Sequence, residues 1–114
     1  MARDNPLAYA SSKLALSRWL RRTAVLDQWA GARILLNGVA PGTVRTPMTA
    51  SLLSNEEGRA ILAQATPCAM PDYADPQDIA PLLAFLASAD NRYMVGQIPF
   101  VDGGSDVLLR GDDV

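Results

Sequence analysis

In the stretch NPLAYASSKLAL, Tyr9 and Lys13 stand four residues apart. A free phenol ionises near pH 10 (about 10), too high for ready proton exchange at neutral pH, but an ammonium held beside it favours the phenolate and lowers that value. Four residues make about one helical turn, so on a helix the two side chains share a face and form a candidate acid/base pair, Tyr9 tuned by Lys13. The same spacing also suits an ordinary solvated helix flank, so the pair acquires meaning only from its surroundings.

The surroundings predict a helix. Asn5 is a good N-cap, and Pro6 suits the first helical position, where its missing N–H would be unpaired anyway. The helix is predicted to run through Leu14, Leu20, Leu26 and Trp29 to Gly31, a residue suited to the left-handed position that ends helices. ARILLNGVA then reads as a nearly continuous apolar strand, of the kind buried on both faces of a parallel sheet. PGTVRTP stops that strand. The segment from Met48 to Ala65, with Leu52, Leu53, Ile61 and Leu62, predicts one or two short helices, and ATPCAMPDYADP reads as a connector. Asp75, followed by Pro76 and by Asp78 three residues on, predicts a capped helix through LLAFLAS to about Ser88, with Pro81 distorting its first turn. GQIPFVDGG is the last predicted strand. This order of elements is the pattern of right-handed crossovers in an α/β fold. Two strands alone leave exposed sheet edges, so the chain reads as part of a domain.

Composition narrows the chemistry. At 114 residues, 49% hydrophobic and 19% charged, the chain is at most one soluble globular domain, and its net charge of −2 offers no general attraction to nucleic acid. Arg18, Arg21 and Arg22 cluster beside Trp19, which a solvated or subunit-facing helix flank explains. The single cysteine, Cys68, excludes an internal disulfide and reads as structural, and with no histidine neither a zinc site nor a thiol–histidine site is expected. No apolar run approaches membrane-spanning length, and MARDNP lacks the apolar core of a signal peptide. The expected location is cytoplasmic, with no membrane and no nucleic-acid partner.

YASSK, then NGVAPGTVRTPM, then a capped helix and FVDGG together resemble the C-terminal half of a short-chain dehydrogenase/reductase, in order and in spacing, from about Asn5 to Ser105. NPLAYA and VDGGSDVLLR are most similar to the bacterial 3α-hydroxysteroid dehydrogenase/carbonyl reductase subgroup. The resemblance implies the C-terminal half of a Rossmann-like parallel sheet with flanking helices, and a substrate lid at about residues 48–65. It implies NAD or NADP as cofactor, a small alcohol or ketone as substrate, steroids among the candidates, and a homo-oligomer. Tyr9 would be the acid/base, and Lys13 would lower its pKa and hydrogen-bond the nicotinamide ribose. Pro41, Gly42, Val44 and Thr46 match the P-G-x-V-x-T loop that holds the nicotinamide carboxamide. That loop falls at the carboxyl end of a strand, where ligands bind in open α/β sheets, and glycine there would let backbone approach the cofactor. Leu52, Leu53 and Ile61 would line the pocket for a bulky apolar substrate or, equally, serve as packing residues. The family's glycine-rich phosphate loop, its cofactor-selecting residue and its catalytic asparagine and serine all precede the tyrosine, so the cofactor-binding N-terminal half is expected to be absent from these residues. Ser11 and Ser12 belong to the helix and do not replace the serine. Met70 and Pro71 stand where the family often has an arginine.

Two other readings remain open. One is a truncated, non-catalytic module that self-associates through apolar helix faces and open sheet edges. The other, a nucleic-acid-binding arginine-rich helix, is opposed by the net acidity.

Overall fold

The computed structural model describes residues 6–114. They form two units, one of residues up to Gly38 together with Leu86–Ile98, the other of Val39–Phe85 and Pro99–Val114.

In the first unit, helix α1 spans Pro6–Ala24, and the expected Asn5 cap lies outside the described residues. Leu20 and Ala24 form its buried face. Two glycines let the chain close on that face: a Cβ at Gly38 would stand 3.2 Å from Leu20 Cδ1, and one at Gly96 would stand 3.4 Å from Ala24 Cβ. The helix does not reach Gly31. It stops at Ala24, and a set of tight turns leads into a 3₁₀ turn at Ala30–Ala32, with Arg33 taking the left-handed conformation expected of a glycine. Aromatic packing accounts for the early stop. Trp29 meets Trp19 edge-on with ring centroids 6.4 Å apart, whereas ten residues of continuous helix would carry them about 15 Å along the axis.

The segment after Arg33 is extended but makes few ladder bonds. Gly96 N–H reaches Leu36 O, and Gly38 N–H reaches Gln97 O. Between them the Asn37 side chain intervenes, accepting the Gln97 N–H at 2.9 Å and donating to Met94 O at 2.7 Å. An amide side chain thus replaces backbone pairing, so much of ARILLNGVA is not regular strand.

In the second unit, β1 (Ala40–Pro41) and β2 (Phe100–Val101) pair in parallel, Ala40 opposite Phe100 and Pro41 opposite Val101. Both are shorter than predicted. Pro41 and Pro99 have no N–H to give a ladder, which limits pairing to their neighbours. Two short helices follow as expected, α2 (Pro47–Leu53) and α3 (Glu56–Ala65). Asn55 Oδ1 caps α3 by accepting the Gly58 N–H at 2.6 Å. Gly58 packs directly against the Leu52 backbone, with no room for a side chain.

Helix α4 spans Pro76–Leu86, contains Pro81 and buries Ile79. Its start is held reciprocally: Asp78 Oδ2 accepts the Asp75 N–H at 2.8 Å, and Asp78 N–H reaches Asp75 O at 2.9 Å. After β2, Gly103 and Gly104 turn the chain with φ of 60° and 93°, values that favour glycine. The turn leads into α5 (Ser105–Arg110), a helix the sequence pattern did not reveal. Asp102 starts it, accepting the Gly104 and Asp106 N–H groups at 3.0 and 2.8 Å. Among the described residues, no helix is long and apolar enough to cross a membrane.

Candidate active site

The first unit carries Tyr9 and Lys13. Both lie on an exposed stretch of α1, Tyr9 being 53% exposed, and Lys13 Nζ is 5.6 Å from the centroid of the tyrosine ring. The helix ladder fixes the one-turn offset between them, so the ammonium and phenol project from one face. Ser12 and Ser17 do not compete for either group, because their hydroxyls donate back to the Tyr9 and Lys13 carbonyls at 2.8 and 3.0 Å. Chemically this face offers one phenolic proton donor or acceptor and one cation.

The second unit carries the loop from Pro41 to Thr46 at the carboxyl end of β1. Gly42 N–H pairs with Val101 O at 3.1 Å. A Cβ at Gly42 would come within 2.9 Å of Asp102 Cα, so the close approach that this glycine permits is between two strand ends. Val44 forms a parallel bridge with Ala74, and Arg45 N–H reaches Ala74 O at 2.7 Å. Thr46 precedes α2, and its N–H is accepted by Thr49 Oγ1 at 3.0 Å. Gly42, Val44 and Thr46 are half-buried, and Pro41 is exposed.

Beside the loop lies a cavity of about 550 Å³, lined among others by Thr43, Arg45, Thr66, Asp72, Tyr73 and Asp102. Thr46 lines a separate, more open depression with Pro47, Ala50 and Leu53. Arg45 and Asp72 form an exposed ion pair at 3.4 Å, a geometry worth little in water. Cys68 Sγ sits 3.8 Å from both Asp72 O and Gly103 O. On α5 the paired hydrogen bonds from Arg110, 2.7 and 2.8 Å long, hold the Asp106 carboxyl below its ordinary range, and Asp106 raises Arg110 in return. Among the described residues, no group of three His, Cys, Asp or Glu side chains is placed to hold a metal ion.

The structure therefore brings Tyr9 and Lys13 together, and it holds Pro41, Gly42, Val44 and Thr46 in one loop. Thr43, Thr49 and Thr66, which bond within or across that loop, carry no spacing signal in the sequence. Asn37 stood within a motif but read only as strand.

A family profile described as Enoyl-(Acyl carrier protein) reductase matches residues 1–106. The 7alpha-hydroxysteroid dehydrogenase of Bacteroides fragilis is 39% identical over 103 residues, covering 90% of this chain and 38% of that protein. The 5-keto-D-gluconate 5-reductase of Escherichia coli is 36% identical over 109 residues, covering 96% of this chain and 41% of that one. Among solved structures, the 3-alpha-hydroxysteroid dehydrogenase from Pseudomonas sp. B-0831 complexed with NADH superposes with a TM-score of 0.79 at 33% identity, covering 95% of this chain and 41% of that one. The chain thus spans about two fifths of the length of these proteins.

Proposed function

Because this chain belongs to the short-chain dehydrogenase/reductase family, a partial α/β Rossmann-like fold, we propose that it carries the proton-transfer and nicotinamide-holding part of an NAD(P)-dependent oxidoreductase interconverting alcohols and ketones. The observation that carries this reading is the exposed Tyr9–Lys13 pair, with Lys13 Nζ 5.6 Å from the phenol ring. A nicotinamide cofactor, when bound, supplies or accepts hydride at the substrate carbon. The donor set present suits such a ligand: a phenol and an ammonium on one open face of α1, and a strand-end loop with a threonine hydroxyl.

Tyr9 Oη gives its proton to the carbonyl oxygen during reduction and takes it back from the alcohol during oxidation. Lys13 places positive charge beside the phenolate formed on Tyr9 and donates to the nicotinamide ribose. Val44 and Thr46 orient the carboxamide, and Pro41 and Gly42 set the path of the backbone that carries them. Leu52, Leu53 and Ile61 on α2 and α3 supply the apolar wall of a lid that favours bulky substrates; Ile61 is 53% exposed and has surface to offer. Hydroxysteroids are the substrate class most in keeping with that wall, and the active species is a homo-oligomer. Loss of turnover on Tyr9→Phe substitution with cofactor binding retained is the experiment that tests this assignment.

A second reading is favoured by a different observation. Among the described residues the buried apolar side chains are Leu20, Ala24 and Ile79, whereas Leu7, Leu14, Trp19, Leu83 and Val107 are all exposed. On that reading the 114 residues by themselves form a non-catalytic, self-associating module derived from the family. Sedimentation of the purified chain, with and without NADH, separates the two. Concentration-dependent association with no nicotinamide fluorescence change favours the module, and association accompanied by NADH binding favours the enzyme.

A further inference from the structure

Threonine hydroxyls fasten both ends of the α2–α3 segment to the loop at residues 41–46. At its start, Thr49 Oγ1 accepts the Thr46 N–H at 3.0 Å and lies 2.8 Å from Val44 O, to which it donates. At its end, Thr66 follows the last residue of α3 and places its Oγ1 3.2 Å from Leu62 O and 2.6 Å from Thr43 Oγ1. A hydroxyl has one proton, and a carbonyl oxygen can only accept. Either hydroxyl can donate in the Thr43–Thr66 bond, Thr43 doing so whenever Thr66 donates to Leu62 O, and in both arrangements the bond joins loop to helix. The segment between the two anchors is stiffened where Gly58 packs on the Leu52 backbone. Swinging α3 away from the loop thus requires breaking the Thr43–Thr66 bond, while the Thr49 anchor serves as the hinge side.

We propose that the Thr43–Thr66 hydroxyl pair is a latch that sets the position of α3 relative to the 41–46 loop, making Thr43 and Thr66 positioning residues for substrate and nicotinamide. The latch itself stands on these contacts, and only its consequence for turnover rests on the oxidoreductase reading. Neither hydroxyl needs to touch a reacting atom. Valine has nearly the shape of threonine and cannot make the bond, so Thr43→Val removes the latch while leaving the Thr66 bond to Leu62 in place.

Hydrogen exchange followed by mass spectrometry on the full chain tests the latch. In Thr43→Val, amide exchange across α3 should rise about fivefold, the factor one net hydrogen bond makes in an opening equilibrium, with α5 unchanged. The Thr43→Val/Thr66→Val double variant should exchange no faster than Thr66→Val, because the two hydroxyls share one interaction, and Thr66→Ser should restore the native rate. In a turnover-competent protein containing these residues, Thr43→Val should raise KM for alcohol and for NAD(P)⁺ several-fold while changing kcat less than twofold. Unchanged α3 exchange, or a rise shared equally by α5, overturns the latch. Faster α3 exchange with both KM values unchanged overturns its coupling to the site. If the unsubstituted protein turns over no alcohol, the oxidoreductase reading fails, and the exchange rates still decide the latch.

Discussion

Lys13 Nζ stands 5.6 Å from the centroid of the Tyr9 ring, one turn further along the same face of α1. Under the proposed function Lys13 binds the nicotinamide ribose and stabilises charge on Tyr9. Lys13→Met should therefore raise KM for the cofactor and lower kcat together, while the melting temperature stays within a few degrees because the side chain is exposed. Steady-state kinetics against cofactor concentration checks this; a change in Tm with unaltered kinetics would reduce Lys13 to a surface residue.

Gly42 faces the Asp102 backbone, with 2.9 Å between a would-be Cβ and Asp102 Cα. Gly42→Ala should push β1 and β2 apart and destabilise the chain by about 1–3 kcal/mol, the usual cost of overpacking. Denaturant unfolding monitored by circular dichroism measures it, and a neutral result would show that the strand ends separate without cost.

Besides a 3.5 Å contact to Leu35 O, the Asn37 side chain donates to Met94 O and accepts the Gln97 N–H. Replacing it by leucine leaves the Gln97 N–H without this partner and Met94 O with only the 3.4 Å bond from Asn91 Nδ2, at about 1–3 kcal/mol for a group left unpaired that water does not reach. Asn37→Asp keeps the acceptor and loses the donor, so it should cost less than leucine. Equal losses in the two variants would mean that the Gln97 bond contributes nothing.

Leu52, 37% exposed, and Ile61, 53% exposed, are assigned to the substrate-facing wall of the lid. Serine at both positions should raise KM for a bulky apolar ketone by tenfold or more, at about 1–2 kcal/mol lost per apolar side chain, and should change KM for a small ketone little. Parallel rises for both substrates would point to unfolding of α2 and α3 instead.

Legibility in the sequence followed the range of each interaction. Tyr9 with Lys13, the proline–glycine loop and the Asp75–Asp78 helix start were readable because each is set by residues within one turn of chain. The end of α1 was not, because it depends on Trp29 folding back onto Trp19 rather than on any helix-stop residue. The strands were overlong in the reading because apolar runs signal burial, whereas hydrogen-bonded pairing was interrupted by Asn37 and by prolines. Helix α5 is only six residues long and begins through Asp102, which falls within the predicted strand GQIPFVDGG. The Thr43–Thr66 contact joins residues 23 apart in the chain, and no local pattern announces such a pair.

The central claim is that Tyr9 moves the proton in hydride transfer. The most direct test is kcat for alcohol oxidation by Tyr9→Phe, measured in a turnover-competent protein containing these residues, with NADH affinity followed in parallel by nicotinamide fluorescence. Phenylalanine keeps the ring and removes only the hydroxyl, so the account predicts a fall of at least about 10² in kcat with NADH affinity unchanged. A kcat within about twofold of the unsubstituted protein, below any loss expected for a general acid or base, would contradict it.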